Sequence, residues 1–117
     1  MKQKKVFIFS HVHWDREWYK TFQEFRFALV DVVDRVLDLL QAGEYDYFIL
    51  DGQTVILEDY LEIRPDLRKK IASWVASGRM IIGPWYILPD EFLVSGESLI
   101  RNLLVGKKIC SDFGKVQ

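Results

Sequence analysis

The sequence predicts an α/β fold on a parallel sheet, and three observations carry that prediction. Short β-rich apolar runs alternate with longer segments of helical period, in the order β-α-β-α-α-β-loop-α. Each apolar run is followed at once by a loop rich in polar and aromatic residues. No repeat, low-complexity segment or linker divides the 117 residues, which form a single α/β segment and amount to one domain at most.

The first strand is expected at Lys5 to Ser10, "KVFIFS", whose unbroken apolar character suits a strand buried on both faces. From Thr21 to Ala42 the period becomes helical. Phe22, Phe25, Leu29, Val32, Val36, Leu39 and Leu40 make one apolar face, with Asp31, Asp34, Arg35 and Asp38 largely between them. Gly43 is the natural stop. "DYFILD", Asp46 to Asp51, is a second strand ended by Gly52, and a shorter helix covers Val55 to Ile63. Pro65 opens another helix, because a residue without an N–H suits the first turn and Asp66 there meets the positive end of the helix dipole. Leu67, Ile71, Trp74 and Val75 form its buried side and Gly78 ends it. "RMIIG", Arg79 to Gly83, is the third strand. The loop "PWYILPDEFLVSG" follows, then a last helix from about Glu97 to Phe113 with Ser95 as its cap.

Parallel strands joined through helices bring their carboxyl ends to one edge, which is where ligands bind in such sheets. "HVHWDREW", "DGQ" and "GPWYILPDE" follow the three strands in turn, so all three clusters meet at that edge. Three parallel strands also leave two open edges. That argues for the opening portion of a larger domain or, should the chain stand alone, for a homo-oligomer that covers them. The final "GKVQ" occupies the place where an alternating fold would begin its next strand.

Composition narrows the function classes. Half the residues are hydrophobic and 15% aromatic, enough for a packed core. The formal charge of -1, from 16 basic and 17 acidic residues, gives no electrostatic case for nucleic acid or an anionic membrane. The opening "MKQKKVFIFSHVHWD" is basic, but its apolar run stops after "VFIF", short of a secretory signal, and no stretch is long enough for a membrane span. The single cysteine, Cys110, permits no internal disulfide and sits in a helical pattern, so a reducing, cytoplasmic setting and a buried, inert thiol are expected.

The chemistry concentrates in "SHVHWDREWYK", Ser10 to Lys20, which holds both histidines of the chain. His11, His13 and Asp15 stand at i, i+2 and i+4, and an extended backbone would point all three to one side. Imidazole nitrogen with carboxylate oxygen suits a borderline divalent ion such as zinc. The same spacing also occurs in solvated loops, and both readings stay open on spacing alone. Trp14 and Trp18 are either caps on the end of the sheet or a flat wall for a sugar ring. Arg16 and Glu17 are a solvated pair or a clamp. Asp51 and Gln53 are better explained by the turn around Gly52 than by a ligand. Asp90 and Glu91 are adjacent in the chain and do not face each other, so an exposed acidic loop outweighs the paired carboxylates of glycoside hydrolysis. A P-loop, a dinucleotide fingerprint, a serine nucleophile elbow and a Cys-x-x-Cys are absent.

"HVHWDREWY" after an N-terminal strand, then "FILDGQ" and "GPWYILPDE" in that order, resembles the beginning of the glycoside hydrolase family 38 α-mannosidases, their bacterial branch in particular. The likeness covers essentially the whole chain but only the start of such an enzyme. It implies an N-terminal fragment of a larger, seven-stranded barrel-like α/β catalytic domain. It implies that His13 and Asp15 are zinc ligands, that Trp18 is the aromatic residue against which the zinc-bound mannose sits, and that His11 is a neighbour of the site without being a ligand. It further implies a retaining hydrolysis of α-linked mannosides by two carboxylates, with zinc gripping sugar hydroxyls. The nucleophile and the general acid would lie beyond Gln117, and Asp112, being in the last helix, does not replace them. The 117 residues alone are then expected to be inactive.

Two other readings remain at this stage. An amidohydrolase-type metal hydrolase would use His11 and His13 together to activate water. A non-catalytic, oligomeric α/β domain would bind a saccharide through the same loops.

Overall fold

The computed structural model describes residues 3–114. Strands β1 (Ser10–His11), β2 (Phe48–Ile49) and β3 (Met80–Ile81) form a parallel sheet with β2 in the centre. Helices α1 (Phe22–Ala42), α2 (Val55–Ile63), α3 (Arg68–Ala76) and α4 (Gly96–Asp112) complete the mixed α/β fold among the described residues, with a 3-10 turn at Pro65–Leu67 leading into α3. The element order is the expected one. The final residues of "GKVQ", 115–117, lie outside the described residues.

The strands are shorter than the apolar runs suggest, and register explains why. Ser10 pairs with Phe48 and His11 with Ile49, while Phe48 and Ile49 pair with Met80 and Ile81. Since Ser10 stands opposite the first residue of β2, the residues before it run past the end of their neighbour. Val6, Phe7, Ile8 and Phe9 are consequently exposed, Ile8 to 95%. The expected strand buried on both faces therefore fails over residues 5–9. Where the ladder exists, alternation is clear: Phe48, Leu50, Met80 and Ile82 are buried, and Ile49 and Ile81 between them only partly so.

Helix α1 begins in a capping box. The Thr21 hydroxyl accepts from the Glu24 amide, and the Glu24 carboxylate accepts from the Thr21 amide at 3.0 Å. That bond holds the Glu24 carboxyl below its ordinary pKa. Thr21→Ala is expected to cost about 1 kcal/mol, read as a lower unfolding temperature with the far-ultraviolet spectrum unchanged. At the other end Gly43, with φ of 77°, donates its N–H to the Leu39 and Leu40 carbonyls. The buried stripe is Leu29, Val33, Val36, Leu37 and Leu40. The helix is thus turned slightly from the expected face, which placed Val32 and Leu39 inside; both are only partly buried.

One core joins this stripe to Ile56, Leu57 and Tyr60 of α2, Ile71 and Val75 of α3, the sheet, and Cys110 of α4. Leu67 and Trp74 are partly buried against it. Cys110 is fully buried beside the Ile82 carbonyl, and burial pushes its thiol pKa up. It is a packing residue, as expected. No helix among the described residues is long and apolar enough to cross a membrane.

Helix α4 controls the loop after β3. Asn102 on α4 accepts from the Tyr86 and Ile87 amides at 2.8 and 3.0 Å and donates to the Ile87 carbonyl at 2.6 Å. One turn on, Gly106 lets the helix lie directly on the backbone of Pro84 to Tyr86: a Cβ there would fall 2.1 Å from the Pro84 oxygen. The loop that reaches the candidate site is therefore fixed from behind by one helix.

Candidate functional site

A cleft of about 480 Å³ opens beyond the carboxyl ends of the strands. Its walls come from His13, Trp14, Asp15, Arg16 and Glu17 after β1, Phe22 at the start of α1, Gln53 after β2, and Ile87 and Leu88 after β3. All three post-strand loops thus meet in one depression.

Beyond β1 the backbone drops Trp14 into the core, where it is 8% exposed and meets Phe25 edge-on at 5.7 Å. Its neighbours His13 and Asp15 point outward, with Nε2 of His13 3.7 Å from an oxygen of Asp15. Two donors on one zinc, each at about 2.1 Å and the tetrahedral angle, sit roughly 3.4 Å apart. The pair therefore fits two positions of such an ion with little adjustment. Among the described residues no group of three or more His, Cys, Asp or Glu side chains is placed to hold a metal, so further ligands would have to come from elsewhere. His11 does not join them. It faces a separate recess with Val36, Leu39 and Tyr45, and its ring contacts Phe9 at 5.9 Å. The expected grouping of His11, His13 and Asp15 is corrected: His13 and Asp15 line the cleft beyond the sheet, whereas His11, still paired in β1, lines the recess beside α1.

Behind His13 lies a polar arrangement that turn preferences had only half explained. Asp51 does occupy a turn, with φ of 48°, in the left-handed region that Asp tolerates better than most residues. Its carboxylate is also nearly buried and lies 3.2 Å from Nδ1 of His13. The Trp14 amide donates to the same carboxylate at 2.7 Å. Gln53, 2% exposed, donates from Nε2 to the Trp14 carbonyl at 2.8 Å and to Asp51 at 2.6 Å. Its Oε1 accepts from the Leu88 amide at 3.1 Å. One buried amide thereby ties the loops after β1, β2 and β3 together. The Gly next to Asp51 had offered a sufficient local explanation, and only long-range contact reveals the second role.

Arg16 is a clamp and not a partner of Glu17. Its Nε and Nη2 donate to the two oxygens of Asp59 on α2 at 2.8 and 2.9 Å, and its guanidinium lies 4.3 Å over the Phe22 ring. The bond to Asp59 raises the guanidinium pKa above its usual value. Asp59 was missed from sequence, although a signal existed. It follows Ile56 by three and Val55 by four residues, both buried, so helical period puts a carboxylate on the apolar face, where it requires a partner. Asp59→Ala is expected to cost about 2 kcal/mol and to free Arg16 into the cleft, checked by unfolding temperature and a crystal structure of the variant.

The remaining candidates lie apart. Trp18 is 76% exposed, beside Tyr19, and is not among the residues that line the cleft. Asp90 and Glu91 are exposed, with Asp90 accepting from the Phe92 amide within its own turn. Asp112 faces another recess with Arg68 and Phe113.

Comparison with known proteins gives a consistent result. Residues 3–117 match the glycosyl hydrolases family 38 N-terminal domain. The chain is 46% identical over 114 residues to the putative mannosylglycerate hydrolase of Halalkalibacterium halodurans, an alignment covering 97% of this chain and 13% of that protein. It superposes on an alpha-mannosidase from Enterococcus faecalis V583 with a TM-score of 0.88 at 45% identity, covering 93% of this chain and 12% of that one. A second Enterococcus faecalis structure, of a protein in glycosyl hydrolase family 38, gives 0.87 at 44% identity over 100% of this chain and 14% of its own. The chain thus spans only a small fraction of the length of each relative.

Proposed function

This chain belongs to glycosyl hydrolase family 38, as its N-terminal domain, and from that premise we propose that it is the first part of a zinc-dependent, retaining α-mannosidase acting on α-linked mannosides in the cytoplasm. The observation that carries the reading is the convergence of His13 Nε2 and Asp15 on one lip of the cleft. Two protein ligands leave positions on the ion free for neighbouring hydroxyls of a sugar, and zinc when bound supplies a grip on those hydroxyls. The chain's own part is to present the two donors and to close the floor of the cleft with Trp14 and Gln53. The indole of Trp18, exposed and outside the lining of that cleft, is offered as a further surface for the sugar's C–H face. The nucleophile and general acid of a retaining glycosidase are assigned to residues outside this chain.

The names of the relatives support an α-mannoside in general and, more narrowly, mannosylglycerate. The test uses the full-length protein. Metal analysis is expected to give zinc, chelation to remove activity and zinc to restore it, and the first-formed product to keep the α configuration. Inverted product, or full activity after verified zinc removal, rules the proposal out. Comparing kcat/KM for mannosylglycerate and a neutral α-mannoside identifies the aglycone.

A further inference from the structure

We propose that Asp51 is a positioning residue for the metal-binding pair: it fixes the ring proton of His13 on Nδ1 and so leaves Nε2 with its lone pair directed toward Asp15. The inference rests on the zinc reading above, but its residue is drawn from the geometry alone.

The two nitrogens of His13 face opposite neighbours. Nδ1 lies 3.2 and 3.4 Å from the two oxygens of Asp51, while Nε2 lies 3.7 Å from Asp15. A carboxylate attracts an N–H and repels a nitrogen lone pair. The two carboxylates compete for the one proton of the neutral ring, and Asp51, nearer and nearly buried, outweighs Asp15, which is more distant and 40% exposed. The proton on Nδ1 then leaves Nε2 free to ligate. A hydrogen bond on the far nitrogen also stops rotation of the ring and makes the ligating nitrogen more basic.

Asp51 can do this because it cannot turn away. The amides of Trp14 and Gln53 hold its Oδ2 at 2.7 and 2.6 Å, and the side chain is only 9% exposed. Its left-handed backbone is a conformation that the surrounding contacts must maintain. Gln53, anchored in turn to Leu88, sets Asp51 as Asp51 sets His13.

The test is zinc affinity of the full-length protein, by competition with a chromophoric chelator, for wild type, Asp51→Asn and His13→Ala. Asn suits the left-handed conformation, so Asp51→Asn is expected to fold with an unchanged circular dichroism spectrum, yet to bind zinc about 10- to 100-fold more weakly. Wild-type affinity in a folded Asp51→Asn, with binding lost in His13→Ala, overturns the role of Asp51 and leaves the zinc reading standing. Failure of the wild type to bind zinc, or undiminished binding by His13→Ala, overturns the zinc reading itself. Should Asp51→Asn not fold, nitrogen NMR of [15N]histidine-labelled wild type decides, with His13→Gln identifying the resonance. A proton on Nδ1 and metal on Nε2 support the proposal, and the reverse arrangement refutes it.

Discussion

His13→Ala and Asp15→Ala, each made in the full-length enzyme, are expected to lower kcat/KM for an α-mannoside by more than about a hundredfold and to lose bound zinc. The floor on that estimate comes from outer-shell residues, whose removal alone costs roughly 10- to 100-fold in metal affinity or activity. On the proposed zinc reading, removing a ligand should cost more, since no third ligand stands beside the pair among the described residues. Both side chains are substantially exposed, His13 at 64% and Asp15 at 40%, so neither variant disturbs the core. An effect on activity without an effect on folding is therefore the expected pattern. His11→Ala is the matched control, since that ring lies in a different recess, and it should remain near wild type in both readouts. Unchanged activity in either ligand variant would exclude the pair from the site. Severe loss in His11→Ala would revive the reading in which both histidines bind the metal.

The second large effect is on stability. Gly106→Ala places a Cβ 2.1 Å from the Pro84 oxygen, 2.4 Å from the Trp85 carbonyl carbon and 2.6 Å from the Tyr86 nitrogen. All three are backbone atoms, and no rotamer relieves the overlap. Alanine favours a helix over glycine by about 1 kcal/mol, but overpacking against a fixed loop costs about 3 kcal/mol, so the net change is destabilising. Because Asn102 holds the same loop from the same helix, α4 must either separate from residues 84–86 or carry them along. The full-length protein is expected to inactivate at a clearly lower temperature, with Leu88 displaced from the cleft. An inactivation temperature equal to or above wild type would show that α4 and this loop do not pack as described.

The order of elements was legible in the sequence because period and punctuation agree along the chain. Thr21 and Gly43 bracket α1, the short helix expected over Val55 to Ile63 has those bounds in the fold, and Ser95 caps α4 through the Ser98 amide. The extent of the strands was not. An apolar run such as "VFIF" reports a tendency to extend, whereas pairing depends on where the neighbouring strand begins, a long-range fact. The facing of α1 missed by a small rotation because Val32 and Val33 are both valine and the pattern does not choose between them. In the site, the nearness of His13 to Asp15 follows from local spacing. The roles of Asp51, Gln53 and Asp59 depend on residues far along the chain, and each had a sufficient local explanation or drew no notice.

The Gln53 amide has a consequence for how the cleft opens. The Trp14 amide proton is held by Asp51 and the Leu88 amide proton by Gln53 itself, while Gln53 also grips Asp51 and the Trp14 carbonyl. Neither proton can reach solvent by an independent local excursion without breaking bonds that secure the other. In native-state hydrogen exchange the two amides should therefore belong to one cooperative unit and show the same opening free energy, although they sit on loops following different strands.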